Sequence, residues 1–329
     1  MKAFKGFKED MTCRGFKYAE GGVYKTDKAN VTECGFHACR FILSTFSFYP
    51  PSSSVYHEVE LDGEISHEDP TVLAATEIKI GKRLTIERLT NVAIDETLDK
   101  IAELEDGGSG SFNKVYTQIK HQVVTITSSF CAAIASGCNC VANATGFASV
   151  AWSRAIHCIA CATGVHSVAR ATGWESIASN TGCYSLASAS GRYSVACSTG
   201  SQSAASASGY GGVACATHTG CAAYATNCDG IACVTGYCST AFAKGDGGVA
   251  SATGIFTAAS ADHMSAIAVG WGKDSKVRGV LGSHIVLADW RVKNGRDVLL
   301  GAEMVRIDGI EFKENTWYVM RDGKITEVK

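Results

Sequence analysis

The chain is 329 residues long, with 19% charged residues, a formal net charge of −2, 35 glycines, 15 cysteines and 3 prolines. It has no apolar run long enough for a transmembrane helix, and its charged start, MKAFKGFKED, lacks the apolar core of a secretory leader. The near-neutral balance argues against a basic nucleic-acid binder, so neither a membrane nor nucleic acid is expected as a partner.

Residues 1–106 carry 13 Lys/Arg and 19 Asp/Glu and read as a small α+β domain. Strand-like runs fall at 55–61 and 75–80, and AIDETLDKIAELE, 93–105, has the period of a short amphipathic helix. EDGGSGSF, 105–112, has the composition of a linker. Residues 113–127 read as a lead-in strand, so 107–127 joins this domain to the middle of the chain.

From 128 to 270 the charge nearly vanishes, leaving four basic and four acidic residues in 143 positions. Glycines recur at nine or multiples of nine, from Gly137 and Gly146 through Gly191 and Gly200 to Gly245 and Gly254. An alanine recurs at every ninth position from Ala133 to Ala268, sixteen times without a break. A position held to one methyl sixteen times is sterically limited, and a fixed period is the mark of a solenoid. The unit, roughly [T/S]-G-x-x-S-[V/I]-A-x-A, combines a turn with a short strand. It lacks the aspartates of the calcium-binding nonapeptide roll, so no metal or cofactor is predicted.

Alternate units differ systematically. One set carries β-branched residues before the alanine: Val141, Ile159, Ile177, Val195, Val213, Ile231, Val249 and Ile267. The other set is mixed: Ala132, Val150, Val168, Leu186, Ala204, Ala222, Thr240 and Ala258. Two units therefore make one 18-residue coil of a two-sided β-roll over 128–271, giving eight coils and a length of about 38 Å at the usual strand spacing. The alanines face inward, because Trp152, Arg170, Tyr224 and Phe242 one position later are too bulky for so thin a roll. The β-branched column then points outward as a continuous Val/Ile ladder, flanked by Asn143, Cys161, Ser179, Cys197, Cys215, Cys233 and Ser251. A ladder exposing several hundred Å² is more than a monomer usually tolerates. It is expected to be a self-association surface, most simply that of a two-fold dimer.

Beyond 271 the chain is charged again, with strand patterns and Asp-Gly turns at Asp308–Gly309 and Asp322–Gly323. Residues 272–329 are predicted to be a β-rich cap, and the N-terminal domain can close the other end, because an open solenoid end templates edge pairing. The fold class is thus mainly β: a β-solenoid with a small N-terminal α+β domain and a C-terminal β cap.

KAFKGF, TCRGFKY, ECGFHAC and VYHEVELDGEI in the N-terminal part, the Thr-Gly-x-x-Ser arrays, and the TWY…DGKI…EV tail resemble a family of phage and prophage proteins of uncharacterised function. The resemblance covers nearly the whole chain and implies a phage- or prophage-encoded protein of the bacterial cytoplasm.

Arg14-Gly15 and Gly35-Phe36-His37, the latter expected to lead into a helix, are faintly similar to the opening of ADP-ribosyltransferase-like folds. That similarity would turn Arg14 and His37 toward a nicotinamide nucleotide, with Glu77 the conceivable acid. Cys158-x-x-Cys161 is disfavoured as a metal site because alternation sends its two thiols to opposite sides of a strand. No convergent set of titratable groups marks a catalytic site. The expected function is a non-enzymatic scaffold or interaction protein, homodimeric, acting in phage–host conflict on a host protein or a small nucleotide. The alternative is a nucleotide-binding or ADP-ribosyltransferase-like N-terminal domain.

Overall fold

The structure, a computed structural model, describes residues 1–31, 33–106 and 114–328. Most of the predicted linker lies outside the described residues.

The N-terminal domain opens with β1 (Lys2–Lys8), a tight hairpin of β2 (Thr12–Cys13) and β3 (Phe16–Lys17), then β4 (Val23–Lys25) and β5 (Phe36–Cys39). A 3-10 turn over Ile42–Ser47 takes the place of the helix expected after His37. The long hairpin of β6 (Ser54–Ser66) and β7 (Val72–Leu84) comes next, then α1 (Ile86–Asp106). α1 starts seven residues before the predicted 93–105. β1, β5, β7 and β6 pair antiparallel in a closed circuit, with β4 on the free part of β7. Register shifts at His57/Val59 and Asp62/Ile65 bend β6 enough for closure. Inside sit Phe7, Val59, Leu61, Leu73, Ile78 and Ile80.

The solenoid is a two-sheet parallel roll. Units 18 residues apart stack in register, as Ala187 does on Ala205 and Ala196 on Ala214. All sixteen alanines are fully buried, and the two sheets meet across them. The roll has about ten turns over residues 114–287 rather than eight. The extra turns come from Lys114–Thr117 and Val123–Ile126 before the repeats and from Lys276–Gly279 and His284–Lys293 after them. These strands keep the register but not the signature. Val124, Val277 and Ile285 fill the alanine column where the core opens at the ends, so the nonapeptide pattern stops before the coil does.

Units that carry both the glycine and the serine are locked by the pair. A Cβ on Gly182 would lie 1.7 Å from the carbonyl oxygen of Gly164 one coil away, so only glycine fits. Three residues later, Ser185 is buried, and its Oγ accepts from the Ser167 N–H at 3.1 Å. The same Oγ lies 3.1 Å from the carbonyl of Gly164 and 2.9 Å from that of Cys183, one of which takes its proton. The serine column thus satisfies turn groups that the alanines cannot reach. The residue two after the glycine is left-handed: φ is 58° at His166, 55° at Tyr184 and 54° at Tyr193.

The C-terminal segment closes its end with antiparallel hairpins. His284–Lys293 turns at Asn294–Gly295 into Arg296–Arg306. Trp317–Arg321 turns at Asp322–Gly323, as predicted, into Lys324–Val328 and packs Tyr318 against Val277. Asp308 caps its own turn by accepting from the N–H groups of Ile310, Glu311 and Phe312.

The N-terminal domain does not close the opposite end; it lies along the roll's flank. α1 crosses the strands Val168–Ala171, Leu186–Ala189 and Ala204–Ala207. Arg170 donates to Asn91, Tyr224 Oη donates to the Pro51 carbonyl at 3.1 Å, and Thr240 Oγ1 donates to the Ser52 carbonyl at 2.7 Å. The bulky outward residues on this sheet therefore form a seat for the domain. At that opposite end, among the described residues, Val115 and Val123 are exposed.

Candidate functional site

Two regions combine recognisable chemistry with accessibility. The first is the sheet face away from the N-terminal domain. Val141, Ile159, Ile177, Val195, Val213, Ile231, Val249 and Ile267 lie on successive strands in direct register there. All eight are partly accessible, Ile177 and Ile231 the most, at 39%. On the opposite sheet the column from Ala132 to Ala258 is buried, mostly beneath the N-terminal domain. The row beside the ladder, Asn143 to Val269, is half-buried and contains no charged residue. Within it Cys197, Cys215 and Cys233 stack on three consecutive strands. A hydrogen bond from the Cys215 thiol pulls Cys233 down to about 7, and the Cys197 thiol is pushed up by its own bond to Cys215. Cys140 and Cys158 point into the core, whereas Cys161 is half-buried on the outer face.

The second region is a cleft of about 710 Å³ in the N-terminal domain, between β1, β5 and the β2–β3 hairpin. Arg14 and His37 both line it. Arg14 sits with φ of 48° at the hairpin tip, ahead of Gly15, and His37 places Nε2 2.9 Å from the Val31 carbonyl. Burial lowers the His37 pKa, which favours the neutral ring. Glu77 lies outside this cleft, on a separate cavity with Glu60 and Lys79, and pairs with Lys25 at 2.7 Å. The presumed acid therefore does not join Arg14 and His37.

The sequence reading missed Lys5. It alternates with Ala3 and Phe7 on the inward side of β1 and is only 5% exposed. Its ammonium donates to the His37 carbonyl and lies 5.7 and 5.6 Å from the ring centres of Phe7 and Tyr18. Desolvation lowers its pKa. Among the described residues no carboxylate lies within ion-pairing distance of it. Tyr49 Oη donates to Cys13 Sγ at 2.9 Å on the same wall. Burial raises Tyr18 and Cys39, each to about 12, so both stay neutral at physiological pH. The one available signal for Lys5 was its two-residue spacing from Ala3 and Phe7, and that spacing shows a face only once the strand's partners are known.

The fold defines a flank-covered β-solenoid carrying a small closed-sheet domain. Residues 1–92, spanning that domain and the start of α1, match the family described as a domain of unknown function (DUF7666). Comparison with curated proteins and with solved structures finds no match. No helix among the described residues is long and apolar enough to cross a membrane.

Proposed function

We propose that the protein is a non-enzymatic scaffold whose uncovered solenoid face joins it to a second copy, so that the dimer presents paired N-terminal domains. The observation that carries this reading is the difference between the two outer columns. One is buried by the chain's own domain; the other is an accessible, uncharged, β-branched ladder in register. A flat ladder of this kind is self-complementary under a two-fold axis, each Val or Ile meeting its equivalent row. On the resemblance of the chain, its setting is the cytoplasm of a bacterium, encoded by a phage or prophage. Its role there is in phage–host conflict, through a host protein or a small nucleotide.

Light scattering and sedimentation of the intact protein test this. A dimer mass is expected, reverting to monomer in Ile177→Asp/Ile231→Asp with an unchanged far-ultraviolet circular dichroism spectrum, while the melting temperature loses its dependence on protein concentration. A monomer at all concentrations sinks the proposal.

A second reading concerns the N-terminal cleft, because Arg14 and His37 converge on it. With Glu77 elsewhere, that convergence favours nucleotide binding over ADP-ribosyl transfer. Labelled NAD incubated with the protein should leave no covalent label, and stoichiometric labelling would reverse the preference.

A further inference from the structure

The cleft contains an electrostatic imbalance. Lys5 is a buried cation whose polar partners among the described residues are the His37 carbonyl and the Cys13 thiol, neither of them a carboxylate, with two aromatic rings nearby. A buried ammonium is costly unless paired, and an ammonium has three protons to donate. Arg14 adds a second cation at the rim. Neither of the two acidic residues on the lining, Asp69 and Glu33, lies within ion-pairing distance of Lys5. The Asp69 carboxylate already accepts from Thr71 and Val72, and Glu33 is solvent-exposed. The mouth also carries two exposed phenylalanines, Phe16 at 47% and Phe48 at 60%. Large exposed aromatics beside a concave cationic site suit a flat ring, and the cleft volume falls in the range of small-molecule sites.

We propose that this cleft binds a nucleoside monophosphate, with the phosphate on the Lys5 ammonium and the Arg14 guanidinium and the base against Phe16 and Phe48. This rests on the nucleotide-binding reading above and adds the anchor and the ligand class. The phosphate supplies the counter-charge that Lys5 lacks. Arg14, at a two-residue hairpin tip, closes over it without rearrangement of the sheet. His37 positions Lys5 through its backbone carbonyl rather than by acid–base chemistry.

The test is calorimetric titration of the full chain with each of the four ribonucleoside 5′-monophosphates, with inorganic phosphate as a competitor. Saturable binding of at least one nucleotide is expected, with phosphate displacing it. Lys5→Met, which keeps the side-chain length, should weaken binding at least ten-fold, in line with loss of a charge-assisted bond. Arg14→Ala, at an exposed position where folding is not at stake, should weaken it several-fold, as should Phe16→Ala. Glu77→Gln, on the separate cavity, should bind as the parent does. No binding of any of the four would overturn this proposal, and the reading beneath it falls as well only if NAD, titrated in the same way, also fails to bind. Binding that Lys5→Met and Arg14→Ala leave unchanged would overturn the anchor alone.

Discussion

The two outer faces of the solenoid are built from the same nonapeptide, yet they meet opposite fates. On one, Val168, Leu186 and Ala204 lie under α1, and Arg170, Tyr224 and Thr240 reach out to the N-terminal domain. On the other, Ile177, Val195 and Val213 face outward in register on adjacent strands. The covered face varies from Ala to Leu because it must match the uneven surface of a helix and loops. The other face, with no such surface packed against it among the described residues, repeats Val and Ile. Sequence regularity within a solenoid thus reports what each face packs against.

The largest perturbation should be indifferent to this contrast and so sets its scale. Gly182→Ala pushes a methyl into the Gly164 carbonyl at the seam between coils. It should cost about 3 kcal/mol or more in denaturant unfolding, whichever face is considered.

The contrast itself appears in matched truncations. Leu186→Ala, fully buried under α1, should lose about 2–4 kcal/mol. Ile177→Ala, at the equivalent position of the other face, should lose under about 1 kcal/mol in dilute monomer while weakening self-association. Equal losses at the two sites would erase the distinction.

The covered seam has a pH signature. Both Glu96 carboxylate oxygens lie 3.1 Å from the Ile42 N–H, tying α1 to the 3-10 turn, and burial raises the Glu96 pKa to about 8. The folded state then binds a proton that the unfolded state releases near pH 4–5. Stability should be greatest below that range and should decline as pH rises toward about 8. Glu96→Gln should flatten the decline, as read from denaturation midpoints between about pH 5 and 8.

The smallest effect is chemical. Cys233, lowered to about 7, should alkylate faster than Cys197 at neutral pH, with a rate that rises through about pH 7. Peptide mass spectrometry should show both thiols protected as protein concentration increases. Unchanged reactivity would count against occlusion of this face.

Much of the roll was legible because its constraints are local and repeated. The sixteen alanines, the bulky residue one position later and the two alternating columns fix the inside, the outside and the coil length. The turn chemistry was less visible. The left-handed position two after the glycine is held by His166, Glu175, Tyr184 and Gln202, residues with nothing in common, because backbone stacking rather than side-chain identity holds it. The Asn294–Gly295 hairpin was a strong local signal left unread. The extra coils escaped because Val124, Val277 and Ile285 replace the methyl column where the core widens. At the candidate site Arg14 and His37 were visible as residue types, whereas Glu77, the conceivable acid, lies on a separate cavity and Lys5 was not seen. Which side of β1 is enclosed depends on β5 and β6, strands that lie beyond the intervening hairpin and loops and pair with it only in the folded domain.

The amino-acid sequence alone determined the coil: its period, its methyl-lined interior and the different character of its two flanks, since each comes from what one unit can stack upon the next. Only the tertiary structure decided that the N-terminal domain lies along one flank instead of plugging the end, and that a lysine is enclosed beside Arg14 and His37. Docking and enclosure are contacts between distant segments, and no repeat or spacing within either segment encodes where the other will land.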